Sequence, residues 1–320
     1  MKKSKIVWII IAVSLIILGA VVSTLSLARL NFDFSKLNTQ KYVSNEHIVT
    51  EDFSNIKIDV DTSDIELVRS ENNECMIVSI DTEKTKHIIT VKNNTLFISL
   101  DDERKWYDYI GVFTMSPSLT IHLPKDSYDS LNIEADTSDI TIPKDFIFGN
   151  VGIETDTGDV QMLSQVSATL DISSDTGDIK MQNINPQSIT LETNTGDAQM
   201  QNINSQSITL ETDTGKTYLT NVNCNYLSTS GGTGDISFKN VDAGTKFDIT
   251  RSTGDVMFDR CDADELYITT DTGDIRGTLL TDKVFICKTD TGDIDVPKTT
   301  DGGKCEITTD TGDIIIKIGK

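Results

Sequence analysis

The sequence has few of the residues on which most catalytic and nucleic-acid-binding sites depend. Aromatic residues make up 6% of the 320 positions, and there are only three histidines, at 47, 87 and 122. Lys and Arg number 28 against 50 Asp and Glu, which gives a formal net charge of -22. A charge of this sign repels nucleic acid and anionic surfaces. We therefore expect no nucleic-acid partner.

Recognised catalytic motifs are also missing from the sequence. It contains no GxSxG, HExxH or Walker A pattern, and the glycine-rich run 230–234 lacks the lysine of a phosphate-binding loop. The five cysteines form no CxxC pair, and we predict that Cys261, Cys287 and Cys305 are buried, unreactive thiols. The sequence therefore favours a protein that is not an enzyme and has no cofactor.

The N-terminus carries the one long hydrophobic run. Residues 1–5 contain three lysines, and residues 6–28 contain no charged residue. As a helix, these 23 positions would extend about 35 Å, enough to cross a hydrocarbon core of about 30 Å. The positive-inside rule places residues 1–5 in the cytoplasm and the remainder outside, as a single-pass protein of the cell membrane. The alternative is a cleaved signal peptide, with Ser26-Leu27-Ala28 as its cleavage site.

An acidic turn of the form TDTGD recurs through the rest of the chain. Successive glycines of this turn are 19 or 20 residues apart, and two earlier copies, at 61–64 and 136–139, have serine in place of glycine. The glycines are Gly158, Gly177, Gly196, Gly215, Gly234, Gly254, Gly273, Gly292 and Gly312. Self-similarity at this period is typical of a solenoid.

Apolar residues keep the same frame as the turn. They lie seven and five positions before the glycine, as at Leu170 and Ile172, and two and four positions after it, as at Ile179 and Met181. Alternation by two indicates a strand with one buried face on each side of the turn. The sequence therefore predicts an all-β, single-stranded parallel β-solenoid of 19–20 residues per coil, with ten regular coils from Ser138 to Gly312.

The N-terminal part of the exported region is less regular. We predict a linker over residues 29–50, a first coil and an irregular β cap over 51–135, and the regular solenoid over 136–320. Short strands are expected at 75–80, 87–91, 95–100 and 118–123, with Asn93-Asn94 as a hairpin turn. A cap is needed because the first coil would otherwise expose its core and its edge strands.

Stacking the turns places their carboxylates in two columns. Charges about 4.8 Å apart repel one another by about 0.9 kcal/mol even in water. Either bound Ca²⁺ or hydrogen bonds from turn amides could offset this cost. Asn194, Gly232, Ser252 and Lys216 interrupt the columns, which favours the hydrogen bonds. The candidate calcium ligands are Asp156, Asp159, Asp175, Asp178, Asp271, Asp274, Asp290 and Asp293.

Two further features bear on function. Residues 181–196 and 200–215 are near-copies, and a coil that can be duplicated whole is a poor place for a unique catalytic site. The segment 104–110 is aromatic and partly basic, and Trp106, Tyr107 and Tyr109 are candidates for contacting a glycan or a membrane. The alternative is that these rings pack on the cap or on the solenoid wall.

The T-D-T-G-D-[IV] array, the two DTSD copies and the N-terminal hydrophobic segment resemble the bacterial "putative adhesin" family of β-solenoid proteins, which includes LiaG-like envelope proteins. The resemblance covers about residues 50–320. It implies a membrane-anchored, surface-facing solenoid linked to envelope stress responses, and it supplies no catalytic residues.

Together these features favour a non-enzymatic scaffold for binding, adhesion or envelope-stress interactions, anchored through residues 6–28 and facing an envelope or surface ligand of unknown identity. Two alternatives stay open. One is a calcium-stabilised spacer rod. The other is a polysaccharide-active β-helix enzyme, for which Arg251 or Lys216 would have to lie beside acids in a groove.

Overall fold

The computed structural model describes residues 3–29, 31–32, 41–109 and 117–319. Its one α-helix, α1, spans Lys3–Arg29. Within it, Val7–Arg29 is long and apolar enough to cross a membrane, with a mean hydropathy of 2.6, and its most apolar stretch is not buried against the rest of the protein. A helix that is apolar on all sides and packs against no other element suits a lipid environment.

The remaining described residues form strands joined by turns. The strands of the N-terminal region are β1 Val43–Val49, β2 Asn55–Val60, β3 Asp64–Arg69, β4 Cys75–Asp81, β5 Thr85–Lys92, β6 Thr95–Asp102, β7 Ser118–Leu123, β8 Ser127–Thr137 and β9 Ile140–Ile142. A 3₁₀ turn, Trp106–Tyr109, follows β6.

The strands of the repeat region continue in the same sheet. They are β10 Ile147–Thr157, β11 Val160–Met162, β12 Gln165–Val166, β13 Thr169–Thr176, β14 Ile179–Gln182, β15 Ser188–Thr195, β16 Ala198–Asn204, β17 Ser207–Thr214, β18 Thr217–Thr233, β19 Ile236–Thr253, β20 Val256–Thr272, β21 Ile275–Leu279, β22 Lys283–Thr291, β23 Ile294–Asp295, β24 Gly303–Thr311 and β25 Ile314–Ile318.

The parallel β-solenoid predicted from the repeat is confirmed. Residues one period apart pair in parallel, so that Leu170 lies beside Ile189 and Ile189 lies beside Ile208. Their side chains point inward and are fully buried, while the alternate positions face solvent. Each coil thus contributes one layer to a continuous apolar core.

The solenoid has about nine turns. The predicted copy at Ser138 stacks between the first coil and the coil of Gly158, because β8 pairs with β2 and β10, and β9 pairs with β3 and β11.

Antiparallel strands close the N-terminal end of the solenoid. β6 and β7 lie against the first coil, made of β2 and β3, and are flanked by β5 and β4 respectively. The hairpin between β5 and β6 turns at Asn93 and Asn94, whose φ angles of 50° and 61° fit a two-residue hairpin turn. β1 pairs with β4, so the linker predicted over 29–50 is too long: residues 43–49 already belong to the cap.

The last two coils do not stack in chain order. β24 pairs with β20 on one side and with β22 on the other, so the final coil lies between the coils of Gly273 and Gly292. The coil of Gly292 is therefore the outermost. Its strand β23 has only two residues and is followed at once by Val296-Pro297, and a short strand ending in proline is tolerated best at a sheet edge.

The five cysteines are free thiols. Cys261 and Cys305 are buried, as predicted, and so are Cys75 and Cys224, whereas Cys287, also predicted to be buried, is not. Burial raises the pKa of the Cys305 thiol to about 12 and that of Cys261 to about 11. Cys287 differs because it lies in the outermost coil, where no further coil covers it, and it is only half-buried.

Candidate functional site

The repeated acidic turn forms a corner between two walls of the solenoid. At Gly158 the chain adopts φ of 142°, and a Cβ there would lie 2.0 Å from the carbonyl oxygen of Ser138 in the preceding coil. Only glycine allows both the left-handed backbone and the close approach of neighbouring coils. The next residue but one, Val160, returns to the core.

Aspartates that follow the corner glycine form a ladder of hydrogen bonds between coils. The backbone N–H of Asp178 donates to Asp159 Oδ1 at 2.8 Å, and the N–H of Asp197 donates to Asp178 Oδ1 at 2.9 Å. The same bond recurs along the column, and it follows the exchanged order of the last coils, from Asp274 to Asp313 to Asp293. Each carboxylate therefore satisfies an amide of the next coil, and charge-assisted bonds of this kind are among the stronger ones.

The eight predicted calcium ligands divide into two rows. Asp159, Asp178, Asp274 and Asp293 belong to the ladder, whereas Asp156, Asp175, Asp271 and Asp290 lie two residues before the glycine and are exposed. Within the described ranges, no three His, Cys, Asp or Glu side chains come together in a way that could hold a metal ion. The carboxylates of Asp159, Asp178 and Asp274 each direct one oxygen at a backbone amide of the neighbouring coil, whereas Asp293, in the outermost coil, takes part through its N–H.

A second ladder at another turn of the coil escaped the sequence analysis. Asn183, Asn202, Asn221 and Asn240 all have φ between 51° and 59°. The Nδ2 groups of the last three each donate to the Oδ1 of the asparagine one coil earlier, at 2.8–2.9 Å. Asparagine tolerates the left-handed region better than other residues with a Cβ. Four asparagines spaced by 19 residues were the signal in the sequence.

Arg251 does not line a groove, contrary to what the enzyme alternative requires. Its side chain is 1% exposed and points into the solenoid, where Nη1 donates to the carbonyl oxygen of Thr212, two coils away, at 2.7 Å. The intervening coil has Gly231 at this position, and a Cβ there would lie 2.3 Å from Nη1. Burial lowers the pKa of the guanidinium. Lys216 is exposed at the corner, 3.5 Å from Asp235 Oδ2.

A buried Ser-His-Asp array lies between the first coil and the cap, and the sequence analysis also missed it. Ser63 Oγ is 3.2 Å from His87 Nε2, and His87 Nδ1 is 2.6 Å from Asp81 Oδ1. These are the contacts of a catalytic triad. All three side chains are buried, however, and the cavity beside them has a volume of about 10 Å³, room for one water molecule at most.

Among the described residues, the array therefore has triad geometry without a place for a substrate. Burial acts to raise the pKa of the Asp81 carboxyl, but hydrogen bonds from His87 and Asn45 outweigh burial and lower it. The three residues tie the corner of the first coil to β4 and β5 of the cap.

The aromatic candidates lie on the 3₁₀ turn after β6. Trp106 is 77% exposed and Tyr107 is 48% exposed, so neither ring is packed into the cap or the solenoid wall. The Tyr109 side chain lies outside the described residues. Asp108 accepts hydrogen bonds from the Lys105 N–H and from Lys84 Nζ, which holds the turn in place.

One wall of the solenoid contains an open groove of about 350 Å³. Its lining includes Gly152 and four acidic residues, Glu134, Glu154, Asp171 and Glu192. The groove runs across neighbouring coils and is open to solvent. Its chemistry suits a cationic or hydroxyl-rich group rather than an anion.

Fold and surface together define a class: a capped parallel β-solenoid whose acidic corners bind its own backbone and whose walls face solvent. More specifically, the chain belongs to the Toastrack DUF4097 family, whose model matches residues 53–225 and 205–320. None of the functionally curated proteins matches the chain.

The chain is similar to several solved structures. A "putative adhesin" from Parabacteroides distasonis ATCC 8503 is 11% identical, with a TM-score of 0.50 over 88% of this chain and 98% of that one. A "putative adhesin" from Bacteroides fragilis NCTC 9343 is 17% identical, with a TM-score of 0.34 over 87% and 97%. A "putative lipid binding protein" from Parabacteroides distasonis ATCC 8503 is 9% identical, with a TM-score of 0.35 over 88% and 98%. At 11% identity, the likeness to the first of these structures, with its TM-score of 0.50, concerns the fold alone.

Proposed function

We propose that this protein is a membrane-anchored, extracytoplasmic solenoid that serves as a non-enzymatic scaffold for binding or adhesion. The observation that supports the proposal is a difference between the corners and the walls of the solenoid. The carboxylates that follow the corner glycine are engaged by backbone amides of the neighbouring coils, whereas the walls present rows of outward side chains and a groove. Helix α1 supplies the anchor, with its N-terminus in the cytoplasm.

Site-specific photo-crosslinking on intact cells tests the binding role. A photoreactive residue at Thr190, on the groove, is compared with one at Gln161, which is exposed on the wall across the corner. Both variants keep every ladder bond, so they should fold alike. Adducts from Thr190 and none from Gln161 would support binding at the groove. Folded, surface-exposed protein that gives no adduct from either position would contradict a binding role and leave the spacer rod.

Membrane topology has its own test. A membrane-impermeant amine reagent should label the lysines of the solenoid on intact cells, and the mature protein should keep α1. Labelling only after lysis would contradict the proposed orientation. A mature mass that lacks the first 28 residues would show that the segment is a cleaved signal rather than an anchor.

A further inference from the structure

The aromatic turn, here residues 104–108, presents two large rings to solvent on a rigid support. Trp106 has the highest exposed fraction of the large apolar side chains in the described part of the chain. Arg104 is held against Asp102 through Nε and Nη2 at 2.9 and 2.6 Å, and Asp108 closes the turn on Lys105. The rings meet edge to face, with centroids 5.8 Å apart. The fold thus holds this apolar surface out in solvent instead of burying it.

The turn lies at the end of the solenoid that is attached to the membrane helix. β6, which leads into it, pairs with β2 of the first coil, and Arg104 lies 3.9 Å from Asp61 at the first corner. Residues 30–42 separate α1 from β1, and 13 residues reach about 45 Å when fully extended. The whole solenoid of about nine turns measures only about 43 Å. The bilayer surface is therefore within reach of the turn.

We propose that the aromatic turn docks on the surface of the bilayer that holds α1, with Trp106 and Tyr107 at the level of the headgroups. Trp and Tyr are enriched at this interface, because their rings are apolar and their N–H or O–H groups stay hydrated. Because residues 30–42 connect the solenoid to α1, the turn stays at a high effective concentration near the bilayer surface. Weak insertion by two rings is therefore sufficient for docking. This inference rests on the anchoring in the proposed function.

Charge favours an uncharged or zwitterionic surface as the partner. The protein as a whole has a formal net charge of -22 and is repelled by anionic lipid. Around the turn the charges nearly balance: Lys84 lies 2.5 Å from Asp108 and 5.7 Å from the centre of the Tyr107 ring, and Arg104 is paired with Asp102. Docking is therefore driven by the rings and should need no anionic lipid.

Tryptophan fluorescence in proteoliposomes tests the proposal on the full chain. The chain has two tryptophans, so Trp8→Phe leaves Trp106 as the sole emitter. In phosphatidylcholine with brominated acyl chains, we expect its emission to fall on the order of twofold relative to unbrominated lipid, since interfacial groups insert about 5–10 Å. A matched control combines Trp8→Phe, Trp106→Phe and Tyr226→Trp. Tyr226 is 51% exposed in the middle of the solenoid, and its replacement should give equal emission in both lipids.

Equal emission of Trp106 in both lipids, from protein that floats with the vesicles, would overturn the docking and leave the anchor intact. Protein that does not float with the vesicles would overturn the anchor and, with it, the docking. Emission insensitive to bromine but altered by soluble cell-wall glycan would assign the turn to a glycan instead.

Discussion

Replacing Asp159 separates the two explanations of the acidic corner. Its Oδ1 accepts the Asp178 N–H at 2.8 Å, and a charge-assisted bond of this kind contributes about 1.5–3 kcal/mol. Its two column neighbours repel it by up to about 0.9 kcal/mol each before screening by salt. Asp159→Ala removes the hydrogen bond and also the repulsion from the two neighbouring carboxylates. The free energy of unfolding should therefore fall by about 1 kcal/mol, which lowers the Tm by about 2–4 °C in a domain of this size. Asp159→Asn keeps a hydrogen-bond acceptor. Its bond is weaker, but the repulsion between carboxylates is removed, so the free energy of unfolding should hardly change.

Asp156→Ala is the matched control for Asp159→Ala. Asp156 is exposed on the same corner and, among the described residues, its side chain forms no hydrogen bond, so its loss should change the free energy of unfolding by less than about 0.5 kcal/mol. Chemical denaturation of the wild type and of the three variants gives the order of their free energies of unfolding. If Asp159→Asn destabilises as much as Asp159→Ala, the charge rather than the acceptor matters, and the reasoning is refuted.

Three further predictions follow from the buried polar groups. Arg251→Met should leave the free energy of unfolding unchanged or raise it, because the side chain fills the space beside Gly231 without an unpaired charge. Arg251→Ala should lower the free energy of unfolding by about 2–4 kcal/mol. Denaturation midpoints in the reverse order would contradict this. A fluorophosphonate should leave Ser63 unmodified in the folded protein, since the adjacent cavity of about 10 Å³ admits no substrate; stoichiometric labelling would indicate a hydrolase. The pKa of the Asp81 carboxyl is lowered from 3.8 in the folded state, so its contribution to stability is present above that value and is lost as the pH falls through the folded pKa. Melting curves of the wild type and Asp81→Asn should therefore converge on acidification, and a constant gap would contradict the assignment.

The period of the repeat made the coil and its core predictable. Gly158 marks the corner and Leu170 the buried face, and both follow from spacing alone. The exchanged order of the last coils did not follow from it, because every coil carries the same pairing pattern and can stack on any other. The two-residue strand β23, with Pro297 soon after it, suits the outermost coil, on which no further coil has to pair.

The polar groups inside the protein were harder to predict than its core. Arginine is rarely fully buried, so no general rule predicts that Arg251 lies inside the solenoid. The signal lay in Gly231, which occupies the same position one coil earlier and leaves room for the guanidinium. Ser63, Asp81 and His87 come together only through the pairing of the cap with the first coil, and no local pattern in the sequence records that contact.

Thermal unfolding of the full chain in detergent, in millimolar Ca²⁺ and in EDTA, tests most directly the claim that the acidic corners serve folding. The ladder bonds between carboxylates and amides need no metal, so the two midpoints should coincide. A specific site at about 100 times its Kd would stabilise the folded state by about 2.7 kcal/mol and raise the midpoint in Ca²⁺ by several degrees. Such a shift, abolished in Asp159→Asn, would contradict the account.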